Sequence, residues 1–293
     1  MACFAPLYGW QRPDGGPLFF GAELPNTRRV DIPCGYCLGC RLSRARAWAI
    51  RCMHEAQMHS KSCFVTLTYD DEHYLPSLNY NDFQLFMKRL RKASSEKVRF
   101  FVVGEYGEKF KRPHFHALLF GTMFPALQQI GTGLYRSGEL EKLWPYGYSS
   151  IGSVSYESAG YCARYAVKKV VGPGALNNYR RVDVNTGEIV SVVPEFAHMS
   201  LKPGLGFSWF EKYWKEVYVA RDGVCRPGGR TIPAPRAYDK WLESMDSDLR
   251  EYRDYTRYIS SAKFVADCTP ERLAVREHVA RARLEFMTER NLE

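Results

Sequence analysis

The chain has 293 residues, 45% of them hydrophobic, enough for a real core in one large domain or two modest ones. No apolar run is long enough to cross a bilayer. The opening "MACFAPLYGWQRPDGG" lacks the basic start and apolar middle of a signal peptide, so a soluble cytosolic protein is expected. Forty-one Lys and Arg against 32 Asp and Glu leave a formal charge of +9, the sign expected when the partner is a phosphate backbone. Nine cysteines, an odd number in a cytosol-like sequence, argue against a disulfide framework.

In chain order, residues 1–40 are rich in Gly, Pro and Cys and read as irregular. "RLSRARAWAIRCMHEAQMH" (41–59) reads as a helix of good formers. "SCFVTLTY" (62–69) alternates polar with β-branched and aromatic residues and reads as a strand. "NDFQLFMKRLRKA" opens on Asn81 as a cap and repeats Phe83, Phe86, Met87 and Leu90 at helical spacing. Strands follow at 97–107 and 114–121, joined by "EKFKRP", a link short enough for an antiparallel hairpin. "SGELEKLW" suits a short helix, and 148–156 a further strand. "ESAGYCARYAVKKVV" (157–171) reads as a helix ended by "GPG". Residues 172–200 read as loop, "SWFEKYWKEVY" as helix, and the last sixty residues as mostly helical. The order implies an α+β fold with a mainly antiparallel β-sheet covered by helices on one side.

"RPHFHALLF" (112–120) carries His114 and His116 one residue apart on a strand. Their imidazoles share one face, while Phe115 turns to the other. That is a platform for two metal ligands on a rigid element. The preceding strand ends in "GEYGE", so a hairpin brings Glu105 or Glu108 toward His114. Glu105, at the strand end, is the preferred third ligand. A carboxylate beside two histidines suits Mg2+ or Mn2+ better than a closed zinc site.

In "YCARYAVKK" (161–169), Tyr161, Tyr165 and Lys168 fall within an arc of roughly 60°, flanked by Lys169. Ala159, Cys162, Ala163, Ala166 and Val170 form the opposite, buried face. A phenol near a cation gains phenolate character, and a metal polarises a phosphate, so the pattern suits transfer of a DNA strand to tyrosine. Two tyrosines near one metal permit two successive transfers. Cys34, Cys37 and Cys40, with Cys3 upstream, have the ligand set of a separate structural Zn2+ site. Reduced thiols packed in a small core are the other reading. Cys52, Cys63, Cys162, Cys225 and Cys268 are expected to be buried. Candidate DNA contacts are Arg41, Arg44, Thr66, Thr68, Arg112 and Arg164, and the backbone of "KPGLG" (202–206) is another.

"FVTLTY" (64–69), "RPHFHALLFG" (112–121) and "YCARYAVKK" resemble the three motifs of HUH endonucleases, in the order used by rolling-circle replication initiators. The two-tyrosine pattern and "GEYGE" are similar to the replication-initiation proteins of microviruses. "PCGYCLGCR" and "MSLKPGLG" resemble the gokushovirus branch of these single-stranded DNA phages. The resemblance implies an HUH-like palm, with the histidines on a central strand and the tyrosine helix facing them. It implies a metal-dependent, site-specific nick in the phage origin through a 5′-phosphotyrosine, then strand joining that circularises the displaced genome. On that basis His114, His116 and Glu105 are metal ligands, Tyr161 and Tyr165 nucleophiles, and Lys168 or Lys169 assists at the phosphate. With no Walker A motif, host helicase, polymerase and single-strand-binding protein are implied partners in the cytoplasm of the bacterial host, away from any membrane. The expected organisation is a Cys-rich segment at 1–40, a nuclease domain at 41–220 and a helical region at 221–293. The competing readings are a zinc-containing DNA-binding regulator without catalysis and a metallohydrolase that activates water.

Overall fold

The computed structural model describes residues 3–107, 110–164, 175–183 and 187–289. The chain forms two compact units. One is Ala45–Glu251; the other joins Met1–Arg44 to Tyr252–Glu293.

The larger unit is built on a seven-stranded sheet of order β12-β5-β6-β4-β9-β8-β7. β4 (Ser62–Tyr69) alternates strictly between buried and half-buried positions, as its sequence predicts. β5 (Arg99–Tyr106) is buried throughout and β6 (Pro113–Phe120) at every position but one. Continuous runs such as "RFFVV" and "HALLF" need cover on both faces, and both faces have it. On one, α2 (Tyr80–Ala93) and α3 (Gly138–Leu143) bring Phe83, Phe86, Leu90 and Leu140 onto Val65, Leu67, Phe115 and Ala117. On the other, Ala45, Ala49 and Cys52 of α1 (Leu38–Ala56) and Ala159, Cys162 and Ala163 of α4 (Tyr156–Ala163) pack on Phe101, Val103, Leu118 and Phe120. The expectation of helices on one side is therefore corrected to helices on both.

Short elements account for the other corrections. Residues 7–32 are not irregular. β1 (Leu7–Arg12), β2 (Gly15–Phe19) and β3 (Arg28–Ile32) form an antiparallel sheet of order β2-β1-β3. Its first turn uses Gly15 and Gly16 at positive φ, and the interspersed Gly and Pro break up the apolar alternation. The 172–200 region contains a hairpin, β10 (Arg180–Val182) with β11 (Ile189–Ser191), and β12 (Phe196–Met199), which pairs with β5 at the sheet edge. Strands of three or four residues carry too little pattern to be seen before their partners are known. β7 (Gln128–Gly131) and β8 (Leu134–Arg136) extend the sheet beyond β9 (Gly147–Ser153). The cap of α2 is Asn79, not Asn81: the Asn79 side chain accepts from the Asn81 N–H. Helices at Phe207–Lys215, Arg236–Met245, Ser247–Ser261 and Pro270–Glu289 match the helical character expected of the C-terminal part. Cys225 is exposed rather than buried, because Val224 takes the inward position of the two-residue strand they share, and Cys268 is half-buried at the end of a 3-10 segment.

The "KPGLG" stretch is held inside the protein. Arg51 donates to the Leu205 carbonyl (3.0 Å), Arg99 to the Pro203 carbonyl (2.7 Å), and the Gly206 N–H to Glu55 Oε2 (2.7 Å). Glu55 Oε1 also meets Arg99 Nε (2.6 Å) and His59 Nε2 (3.0 Å). Burial alone would raise the Glu55 carboxyl. The hydrogen bonds from His59 and Gly206, with the Arg99 charge, outweigh it and hold the group below its ordinary value. A folded pKa below the unfolded one gives stability that is present above the unfolded value and lost as pH falls through the folded one. Glu55→Gln, which leaves the buried Arg99 charge without its partner, is expected to cost about 3–5 kcal/mol at pH 7. It should also flatten the acid limb of the stability curve. Urea unfolding of both proteins between pH 7 and pH 3 measures this, and equal stabilities throughout would remove the pair as a stabilising element.

Candidate active site on the β5–β6 hairpin

The register of three neighbouring strands builds the site. β5 and β6 pair Glu105 with His114 and Val103 with His116. β6 and β4 pair His114 with Thr68 and His116 with Thr66. Directly opposed residues share a face, so the carboxylate, both imidazoles and two threonines lie together. His114 Nε2 and His116 Nε2 lie 3.3 and 3.2 Å from the same oxygen, Glu105 Oε1.

The outer nitrogens are also held. His114 Nδ1 lies 3.1 Å from the Arg112 carbonyl, to which it donates, and His116 Nδ1 lies 2.9 Å from Thr66 Oγ1. A donating His114 Nδ1–H leaves Nε2 bare and turned inward, the tautomer a metal ligand requires. The three potential donor atoms lie within 4.8 Å of one another. Glu105 and His116 are buried and His114 is half-buried. A set of two nitrogens and one oxygen, open on one side, fits a divalent cation that keeps free positions for a phosphate.

α4 supplies the fourth group. Its start is set by a capping box: the Ser158 N–H donates to Ser155 Oγ (3.2 Å) and the Ser155 N–H to Ser158 Oγ (2.8 Å). With Ala159, Cys162 and Ala163 packed on the sheet, Tyr161 turns toward the histidines. Its hydroxyl donates to Glu105 Oε1 (3.2 Å) and lies 3.4 Å from His116 Nε2. Phe64 forms the wall, stacked on His116 with centroids 5.6 Å apart and edge-on to Tyr161 at 6.4 Å. Burial, then the charge and hydrogen bond of Glu105, push the Tyr161 phenol well above its ordinary value, while Arg164 opposes the shift. The Arg164 guanidinium lies 5.4 Å from the Tyr161 ring centroid.

Glu108, Tyr165, Lys168 and Lys169 lie outside the described residues. Thr66, read from sequence as a DNA contact, orients His116. Arg112 donates to the Tyr69 carbonyl (2.9 Å) and pairs with Asp71, so its guanidinium ties down the end of β4. Thr68 is half-buried beside His114. Arg44 is exposed and donates to the Gly35 carbonyl (3.0 Å); Arg41 is half-buried in the first turns of α1. Phe64 went unnoticed in the sequence, where it looks like any apolar strand residue.

The smaller unit holds the second cluster. The sulfurs of Cys3, Cys34, Cys37 and Cys40 lie within 4.8 Å of one another, with Cys3–Cys34 at 3.6 Å and Cys3–Cys37 at 3.8 Å. Four thiolates around zinc at 2.3 Å have edges of about 3.8 Å. The β1–β3 sheet spans the long gap and returns Cys3 to the turn that opens α1. Backbone N–H groups of Phe4, Cys34 and Cys37 each donate to a cluster sulfur at 3.3 Å. Burial pushes the Cys40 thiol up to about 12 and Cys3 and Cys37 add to it, while at Cys37 the N–H donors of Phe4 and Cys40 outweigh burial and bring it down to about 6. Thiols this crowded ionise together only beside a cation.

An H-x-H pair and a carboxylate on adjacent antiparallel strands, faced by a helical tyrosine, is the arrangement that the resemblance to HUH endonucleases implies. The family follows from the comparisons. Residues 62–170 match the family of replication-associated protein ORF2. Replication-associated protein VP4 of Bdellovibrio phage phiMH2K is 39% identical over 259 residues, covering 83% of this chain and 78% of its own length. Replication-associated protein ORF2 of Spiroplasma virus 4 is 30% identical over 256 residues, covering 79% and 72%. No solved structure matches. The chain belongs to the replication-associated proteins of these phages.

The Glu105 charge has a measurable effect on Tyr161. In protein stripped of divalent ions, Glu105→Gln should lower the Tyr161 pKa. The residue's own titration is isolated by subtracting, in each background, the ultraviolet titration of the Tyr161→Phe variant. An unchanged or raised value would mean that burial alone governs the phenol.

Proposed function

We propose that this chain initiates rolling-circle replication as a metal-dependent nuclease of the HUH type. On this reading it nicks single-stranded or supercoiled origin DNA through tyrosine and later rejoins the strand. The observation that carries the reading is the Tyr161 hydroxyl, within 3.4 Å of both a carboxylate and an imidazole of one candidate metal set.

Glu105, His114 and His116 would hold Mg2+ or Mn2+, which when bound supplies polarisation of the scissile phosphate. The Tyr161 Oη attacks phosphorus, the bond from phosphorus to the 3′-oxygen breaks, and the phenolic proton ends on the departing 3′-hydroxyl. One phosphoester is exchanged for another, so the 5′-phosphotyrosine keeps the energy needed for resealing, and the free 3′-hydroxyl serves as primer. Because burial keeps the phenol protonated, its proton must leave during attack. Glu105 already accepts its hydrogen bond, and Arg164 beside the ring favours the phenolate that develops. Tyr165 would serve the second transfer, with Lys168 or Lys169 at the phosphate. Unwinding and copying would fall to host proteins.

The cysteine cluster on this reading holds structural Zn2+, supported by sulfur spacings that match a tetrahedral site. Elemental analysis should find about one equivalent of zinc per chain, lost in Cys37→Ser; a full wild-type chain without zinc, folded and reduced, would refute it.

The nicking reading is tested by a denaturing gel of the full chain with labelled single-stranded origin DNA and Mn2+. A covalent adduct is expected that requires the metal and disappears in Tyr161→Phe/Tyr165→Phe. Thr66→Val should weaken Mn2+ binding about 10- to 100-fold, measured by calorimetry, through loss of the His116 support. Cleavage without an adduct would point to water as nucleophile. Binding with neither would leave a DNA-binding regulator as the better account.

A further inference from the structure

The row of paired residues that builds the site continues past it. Glu105 on β5, His114 on β6 and Thr68 on β4 are followed by Tyr148 on β9, and the next row joins His116, Thr66 and Ser150. Tyr148 therefore stands on the same face as His114, two strands and about 10 Å away. Ile151 turns to the opposite face and is buried there. Tyr148 is 70% exposed, an unusual state for an aromatic ring on an inner strand of a seven-stranded sheet.

The cover on this face explains the exposure. Phe101, Val103, Leu118 and Phe120 of β5 and β6 lie under α1 and α4. Along β4 and β9 the same face presents Thr68 and Ser150, both half-buried, and the Tyr148 ring. The backbone beneath is firm: the Asp70 N–H donates to the Tyr146 carbonyl (3.0 Å), and a Cβ on Gly147 would collide with Asp70. A rigid ring and two hydroxyls thus continue the candidate site across an open strip.

We infer that Tyr148 is a stacking platform for a nucleobase of the single strand next to the scissile phosphate, with the Thr68 and Ser150 hydroxyls facing its sugar-phosphate. This rests on the nicking reading, because it takes the phosphate to sit at Glu105, His114 and His116. From there the strand needs an uncovered path, and the described residues leave one over β4 and β9. A single flat ring beside hydroxyls, in a chain of charge +9, suits a base on an anionic backbone better than an apolar protein partner. Every base has a π-face, so the contact positions the strand without reading its sequence.

The test uses the full chain as Tyr161→Phe/Tyr165→Phe, which leaves the DNA intact. The probes are fluorescein-labelled single-stranded oligonucleotides tiling the genome that encodes the chain, the tightest binder then being scanned with single abasic sites. One abasic position should weaken binding about 5- to 100-fold, the range spanned by stacking one base. Adding Tyr148→Ala should weaken the intact oligonucleotide by a similar factor and abolish that abasic penalty, while Tyr148→Trp restores both. An abasic penalty that persists in Tyr148→Ala, or wild-type binding by that variant, overturns the platform. In chains that keep both tyrosines, Tyr148→Ala should leave the single-turnover adduct rate at saturating DNA unchanged. Absence of any adduct from the wild-type chain defeats the nicking reading instead, and the abasic scan, which needs no cleavage, separates the two failures.

Discussion

Everything at the candidate site depends on the position of β6 between β5 and β4. The antiparallel register sets Glu105 opposite His114 and both threonines opposite the histidines. A slip by one residue would turn the imidazoles into the Phe83–Phe115 core and expose Phe115 in their place. Such a slip is costly because β6 is buried on both faces, so two separate hydrophobic cores hold the register. The chemistry of the site is thereby tied to packing that is itself unreactive.

The same packing decides what Tyr161 can do. Small residues at positions 159, 162 and 163 let α4 lie close to the sheet, which brings the phenol within hydrogen-bond reach of Glu105. Closeness also removes water and raises the phenol's pKa, so the geometry that aims the nucleophile disarms it until a cation and a phosphate balance the charge. Arg164, one turn further on, opposes that shift.

Two polar assemblies hold segments that lack apolar residues of their own. In the larger unit, Glu55 gathers Arg99, His59 and the Gly206 N–H, and so fixes the 199–206 stretch that leads into the Phe207–Lys215 helix. In the smaller unit, the four cysteines draw the ends of the β1–β3 segment together at the start of α1. A three-stranded sheet of 5- and 6-residue strands has little core, and a cross-link of this kind is how small units of that type are stabilised.

The sequence by itself determined the elements with strong periodicity: β4 from its alternation, α2 from its apolar stripe, and β5 and β6 from their unbroken apolar runs. It also determined the shared face of His114 and His116, because a period of two needs no partner, and the cysteine cluster, because thiol spacing is local. The continuous runs of β5 and β6 already implied two covered faces, a signal that was there to be used. Glu105 as the third member of the site, Thr66 as the support of His116, and the place of Tyr148 in the same row were decided by tertiary structure alone. Each depends on which residue of one strand lies opposite which residue of another, and register is a property of the pair. The four-residue strand at Phe196–Met199 was settled in the same way, since a segment that short acquires its conformation from the β5 edge it joins.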